Sequence, residues 1–203
     1  GKYGSPVQLL LKKASAINIK TICPLHGLVW RSNLGYYIDK YQKWSTYEPE
    51  EQGVLIVYAS MYGNTESAAE VLASRLVEKG MKNVVMYDVS RTDVSYLISE
   101  TFRLSHIVLA SVTYNLGIYP PMLNYLEHMK ALNVQKRTVA IVENGSWACT
   151  SGKLMRRFLE DDMKNMNVLD EQLSLVSSMK DNNTPELETL ADAIIASMKK
   201  PEK

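Results

Sequence analysis

The chain has 203 residues, 46% hydrophobic and 22% charged, proportions of an ordinary globular domain that exclude a disordered chain, a collagen and a disulfide-stapled miniprotein. Its 23 Lys and Arg against 22 Asp and Glu leave a net charge of +1, so no global field exists for wrapping nucleic acid or holding basic partners. No run of about 20 apolar residues is present, which excludes a membrane-spanning helix, and the opening residues GKYGSP show no signal-peptide pattern. The two cysteines, Cys23 and Cys149, lie far apart and fit a reducing, cytoplasmic compartment better than a secreted one.

From the N-terminus, the pattern predicts a helix over 6–14, a short strand over 19–23 and a helix over 33–44. Residues 45–53 (STYEPEEQG) are polar, carry Pro49 and three glutamates, and read as a linker. A short α-rich segment, 1–52, thus precedes a domain over 53–203. There, GVLIVYAS (53–60), NVVMYDVS (83–90), SHIVLASV (105–112), TVAIVEN (138–144) and LSLVSSM (173–179) read as strands. The first, third and fourth are almost continuously apolar, as strands covered on both faces must be.

Helices are predicted over 65–79, 93–102, 120–131, 151–165 and 185–199. In the first, Ala68, Ala69, Leu72 and Leu76 form the buried stripe, and Pro120 with Pro121 opens the third. In the last, Leu187, Leu190, Ala191, Ile194, Ile195 and Met198 share one face, and Thr184 before Pro185 supplies the cap. Five strand-then-helix units in succession predict an α/β fold, a doubly wound five-stranded parallel sheet.

In such sheets ligands bind beyond the carboxyl ends of the strands, so the informative loops follow the first, third and fourth strands. The first, Ser60-Met61-Tyr62-Gly63-Asn64-Thr65, leads into a helix and offers hydroxyls, an amide and a flexible glycine but no Lys or Arg. Backbone N–H groups at a helix start favour anions, which makes a phosphate held by neutral donors one reading and a capped turn the other. The loop is not GxxxxGK[ST], which disfavours a nucleoside triphosphatase. The second, Thr113-Tyr114-Asn115-Leu116-Gly117-Ile118-Tyr119-Pro120, supplies two aromatic rings and two residues tolerant of unusual backbone angles. The third, Glu143-Asn144-Gly145-Ser146-Trp147, has a turn signal in Asn144-Gly145 and sets a tryptophan just past a strand end, suited to stacking on a flat ring.

These three loops together resemble a flavodoxin-like domain, and the wording TYN-x-G-x-YP and ENGSW is similar to the flavodoxin domain of flavodiiron proteins. The resemblance implies strand order 2-1-3-4-5 and FMN as cofactor. It implies that Ser60, Met61, Tyr62, Gly63, Asn64 and Thr65 bind the FMN phosphate. Thr113, Tyr114, Asn115 and Gly117 would line the ribityl chain and ring, and Asn144, Gly145, Ser146 and Trp147 would close the other side. Leu116 departs from the pattern, which has a polar residue there. Cys23-Pro24-Leu25-His26-Gly27 resembles the last metal-ligand loop of that family's metallo-β-lactamase-like domain, with His26 matching an iron ligand, so 1–52 would be the remnant of that domain plus a linker. With three histidines in all, His26, His106 and His128, the chain lacks the ligands of a diiron centre, which belongs to the intact family protein.

The function implied is an electron relay through FMN toward a diiron oxygen or nitric oxide reductase site that this chain lacks. Rubredoxin or an NAD(P)H-dependent reductase would be the donor, no nucleic acid or membrane would be a partner, and a homodimer is compatible. The alternatives are a stand-alone NAD(P)H-dependent flavin or quinone reductase and a non-redox phosphate-binding module. A receiver-type module would want carboxylates where the first and third strands end in Tyr58-Ala59-Ser60 and Ala110-Ser111-Val112.

Overall fold

The computed structural model describes residues 1–198; Lys199, with which the last predicted helix closes, and the residues after it lie outside the described residues. Two helices, α1 (Gly4–Ala14) and α2 (Leu34–Thr46), lead into β1 (Glu51–Ala59), α3 (Asn64–Glu78), β2 (Val84–Asp88), α4 (Val94–Arg103) and β3 (Leu104–Tyr114). A two-residue strand β4 (Gly117–Ile118) follows, then α5 (Pro120–Ala131), β5 (Thr138–Gly145), α6 (Ser151–Arg157), β6 (Asn167–Val176) and α7 (Thr184–Met198). The five long strands are parallel in the order β2-β1-β3-β5-β6, which is 2-1-3-4-5 when they alone are counted. β4 folds back antiparallel on the end of β3. The chain winds outward from β1 to β2 and then returns past β1 to β3. The switch in strand order therefore falls between β1 and β3, where the connecting helices diverge and leave a crevice.

The apolar runs are long because alternate residues serve two cores. Leu55, Val57, Ile107, Leu109, Val139 and Ile141 face one way, against Leu97 and Phe102 of α4, Met122, Tyr125 and Leu126 of α5, and Met155 of α6. Val54, Ile56, Val108, Ala110, Ala140 and Val142 face the other, against Ala68, Ala69, Leu72 and Leu76 of α3 and Leu187, Leu190, Ala191 and Ile194 of α7. The predicted stripe of α3 is thus buried, while that of α7 is buried at these four residues and half-buried at Ile195 and Met198. At roughly 1.5–3 kcal/mol for each fully buried large aliphatic side chain, these two layers are the main source of stability.

Several local expectations change. The strand expected over 19–23 is a single bridge, Ile22 to Trp30, because that segment has no sheet beside it. β6 begins at Asn167, six residues before the expected start, and its first half is polar because it forms the sheet edge. It also carries extra residues: Val139 pairs with Val168, but Ile141 pairs with Gln172. The helix expected over 151–165 widens after Arg157 into a π-helical turn, Phe158–Asp162, and ends at an extended Met163. Thr184 is already helical, preceded by a 3₁₀ turn at Asp181–Asn183, so it is not the cap.

Residues 45–53 are packed rather than open. Trp44 donates from its indole to Glu50 (2.5 Å), Glu50 N–H reaches the Arg103 carbonyl (2.9 Å), and Lys136 pairs with Glu48. Beneath them lies Arg137, 1% exposed, with no carboxylate among its hydrogen-bond partners in the described residues. Its guanidinium donates to the carbonyls of Thr101 (2.8 Å) and Phe102 (2.8 Å) near the C-terminus of α4, of Tyr47 (2.7 Å) after α2, and of Gln135 and Lys136. A helix C-terminus offers unpaired carbonyls and partial negative charge, which suits a buried cation. Burial still pulls its pKa down to about 10.

Candidate functional site: the crevice at the strand ends

The loop after β1 is shaped by two residues. Gly63 takes φ of +87°, a value an L side chain rarely adopts, and serves as the N-cap of α3. Its N–H donates to Ser60 Oγ (3.0 Å), closing the turn. The cap is therefore Gly63, and neither Asn64 nor Thr65 caps with its side chain. Among the described residues, the N–H groups of Met61, Tyr62, Asn64, Thr65 and Glu66 have no protein acceptor. The Ser60 and Thr65 hydroxyls each accept one internal bond, from Gly63 N–H and from Asn144 Nδ2 (3.2 Å), so their protons remain free to donate. Free amides, free hydroxyl protons and a helix N-terminus converge, and such a donor set fits an anion such as a phosphate monoester.

The loop after β3 is a hairpin in which Tyr114 pairs with Gly117 and Thr113 with Ile118. Asn115 and Leu116 make the turn with φ of 49° and 59°. The Thr113 hydroxyl is committed within the fold: it accepts the N–H groups of Thr150 (3.1 Å) and Ser151 (3.2 Å) and donates to Ser151 Oγ (3.2 Å), capping α6. The Tyr114 ring packs edge-on against Tyr119, with centroids 5.9 Å apart.

The loop after β5 turns later than Asn144-Gly145, since both residues still belong to the strand. Asn144 is buried, and its amide donates to Thr65 Oγ1 and to the Ser177 carbonyl (2.8 Å). The preceding Glu143 is buried in the opposite sense, accepting from Gly152 N–H, Gln172 Nε2 and Ser174 Oγ at 2.8, 2.9 and 2.9 Å. It thereby ties α6 to β6 below the loop. Trp147 stands fully exposed at 101% of its reference surface. The Cys149 thiol donates to the Leu175 carbonyl (3.0 Å), and burial, then the Glu143 carboxylate, pushes its pKa up; it is held as a thiol.

These loops enclose a crevice of about 340 Å³, within the range of small-molecule sites. Eleven of the fourteen residues expected at a cofactor line it: Ser60, Met61, Tyr62, Asn64, Thr65, Thr113, Asn115, Asn144, Gly145, Ser146 and Trp147. Gly63, Tyr114 and Gly117 shape the turns without facing it. Val112, Leu116, Ala148 and Ser177 line it in addition. Only Leu116 had a signal in the sequence, as a departure; Ser177 arrives because β6 ends beside Gly145, whose carbonyl accepts its N–H (3.2 Å). No Asp, Glu, Lys, Arg or His lines the crevice among the described residues. Its rim is apolar and open, with Tyr62 88% and Leu116 69% exposed beside Trp147. An uncharged pocket with an anion-binding end and an aromatic end suits a phosphorylated planar ring.

His26 lies elsewhere, exposed in the loop between α1 and α2. No group of three or more His, Cys, Asp or Glu residues able to hold a metal occurs among the described residues. Neither is any described helix long and apolar enough to cross a membrane.

Residues 56–167 match the family model for flavodoxin. The chain belongs to the flavodoxin family. An uncharacterized protein of Methanocaldococcus jannaschii is 30% identical over 149 residues, covering 73% of this chain and 37% of that protein. The anaerobic nitric oxide reductase flavorubredoxin of Escherichia coli is 25% identical over 131 residues, 64% of this flavodoxin-family chain and 27% of its own length. The solved rubredoxin oxygen:oxidoreductase of Desulfovibrio gigas superposes with a TM-score of 0.87 at 22% identity, over 98% of this chain and 49% of that one. The chain thus spans half or less of the length of these relatives. Flavodoxin membership supports a flavin electron-transfer role for the chain.

Proposed function

We propose that the crevice binds FMN and that the chain is the electron-relay part of a flavodiiron-type oxygen or nitric oxide reductase, serving a diiron site it does not itself provide. The observation that carries this reading is the crevice with an uncharged lining. The start of α3 offers free backbone donors that would meet the phosphate, and the exposed Trp147 would meet the ring. When bound, FMN supplies one- and two-electron redox chemistry.

The protein's part is to bind, orient and exclude water. Ser60 through Thr65 hold the phosphate. Asn115 and the turn shaped by Tyr114 and Gly117 would hold the ribityl chain and ring together with Asn144, Gly145, Ser146 and Trp147. Thr113 acts by fixing the Thr150-Ser151 turn through its two accepted bonds. Apolar cover from Trp147 and a lining without a cation among the described residues disfavour accumulation of negative charge on the ring, which lowers the reduction potential. Residues 1–52 are read as the closing segment of a metallo-β-lactamase-like domain, with His26 at an iron-ligand position. Rubredoxin or an NAD(P)H-dependent reductase is the class of donor, the compartment is the cytoplasm, and a homodimer is compatible.

Reconstitution tests this directly. The purified chain mixed with FMN is expected to give a yellow one-to-one complex with quenched flavin fluorescence. A colourless protein that leaves FMN fluorescence unchanged overturns the proposal. Two irons per chain by metal analysis would refute the assignment of the chain as a relay without its own metal centre.

A further inference from the structure

Glu66 is the one acidic residue in the first turn of α3, the turn whose free N–H groups form the donor-rich end of the crevice. A carboxylate three places after an N-cap ordinarily folds back toward the N-cap amide, where the positive end of the helix dipole favours it. Beside an anion site the same side chain is a competitor: it takes the donors and repels the ligand. Here its ordinary landing point is closed, because the N-cap N–H, that of Gly63, already donates to Ser60 Oγ.

The carboxylate turns to the sheet instead. Its Oε1 accepts from the Tyr58 hydroxyl (2.8 Å), its one hydrogen-bond partner among the described residues. Tyr58 reaches it from β1, half-buried on the side of the sheet that α3 covers. Burial foremost, and then the Glu66 carboxylate, push the phenol pKa up to about 12, so the hydroxyl keeps the proton it donates. The other carboxylate that acts on this phenol, Asp88 at the end of β2, is answered by Arg91 (3.3 Å) and by the Ser90 N–H (2.7 Å). No Lys or Arg pairs with Glu66 among the described residues, so the phenol alone restrains it. Neither Tyr58 nor Glu66 lines the crevice. A phenylalanine at 58 would fill the same apolar layer, so packing does not account for the hydroxyl.

Resting on the FMN reading, we infer that Tyr58 is a positioning residue for the anion end of the crevice: its hydroxyl holds the Glu66 carboxylate off the free amides of α3 and keeps them open to a phosphate. Once released, the carboxylate returns to the helix start, where it competes for those amides and repels the phosphate.

Three variants of the full chain test it, each titrated with FMN by fluorescence quenching and melted as apo-protein by circular dichroism. Tyr58→Phe removes only the hydroxyl and is expected to raise the FMN dissociation constant about fivefold or more. Glu66→Gln removes the charge that the hydroxyl restrains and is expected to bind FMN at least as tightly as wild type. In the Tyr58→Phe/Glu66→Gln double variant the affinity is expected to return to within about twofold of Glu66→Gln alone, a rescue that a general loosening of β1 does not give. A Tyr58→Phe chain that binds FMN as wild type does, a double variant as weak as Tyr58→Phe, or a Glu66→Gln chain weaker than wild type overturns the inference while the proposed function stands. The last comparison decides the matter without Tyr58→Phe, should that variant fail to fold. Failure of the wild-type chain to bind FMN overturns the proposed function, and this inference with it.

Discussion

The Asn144 side-chain amide donates to the Thr65 hydroxyl over 3.2 Å, joining two crevice loops that lie 79 residues apart. The same amide reaches the Ser177 carbonyl, so one buried side chain holds the ends of β5, β6 and α3 in register. Asn144→Ala removes both bonds and leaves the half-buried Ser177 carbonyl without this donor, a loss of roughly 1–3 kcal/mol. Urea unfolding should show that loss, and FMN should bind at least tenfold more weakly because the phosphate loop is no longer held. An unchanged unfolding midpoint would show that the bond does not hold the loops.

Trp147 is the converse case. Fully exposed, it makes no core contact for the fold to lose. Trp147→Ala should leave apo stability within about 0.5 kcal/mol while weakening FMN binding about tenfold or more. Equal FMN affinities in wild type and variant would remove Trp147 from the site.

Gly63 isolates the backbone contribution. An added Cβ meets nothing within 4 Å, yet φ of +87° strains any L side chain. Gly63→Ala should therefore cost about 1 kcal/mol and lower the melting midpoint by about 2–4 °C. A variant as stable as wild type would mean that the turn relaxes into another conformation.

His106 gives the fold a pH dependence of known sign. The ring is buried at the start of β3, between Ser105 Oγ (2.8 Å) and Ser197 Oγ of α7 (3.0 Å), and desolvation pulls its pKa down to about 4. An unfolded histidine titrates near 6.5. Above that pH neither state binds the proton and stability is full. As pH falls, the unfolded chain is protonated first, so stability drops until about pH 4, where the folded state also titrates; the ceiling is roughly 3 kcal/mol. His106→Gln should lose less stability than wild type between about pH 7 and pH 4.5 in urea unfolding. Parallel losses would assign the acid sensitivity to the carboxylates instead.

The sheet was legible because a strand covered on both faces must be apolar throughout, as 54–57, 107–110 and 139–142 are, and because the α3 and α7 stripes repeat at helical spacing. The donor-rich end of the crevice was legible for a related reason: a strand end, a glycine and a helix start dictate where backbone donors point. The edge strand was not, since Asn167–Glu171 alternates too weakly to mark its start. The roles of Thr113 and Tyr114 were also hidden. Nothing local reveals that the Thr113 hydroxyl is taken by an N-terminus 37 residues away or that the Tyr114 ring turns to Tyr119. Ser177 could be found only through the β5–β6 register.

The Tyr47 carbonyl on Arg137 has a practical corollary for anyone recloning this sequence. A gene trimmed to begin at residue 53, where the alternation of strands and helices starts, would sever an acceptor from a guanidinium sealed inside the protein. The cation would have to find water or an anion in its place. A gene that starts upstream of Tyr47 keeps that acceptor in place.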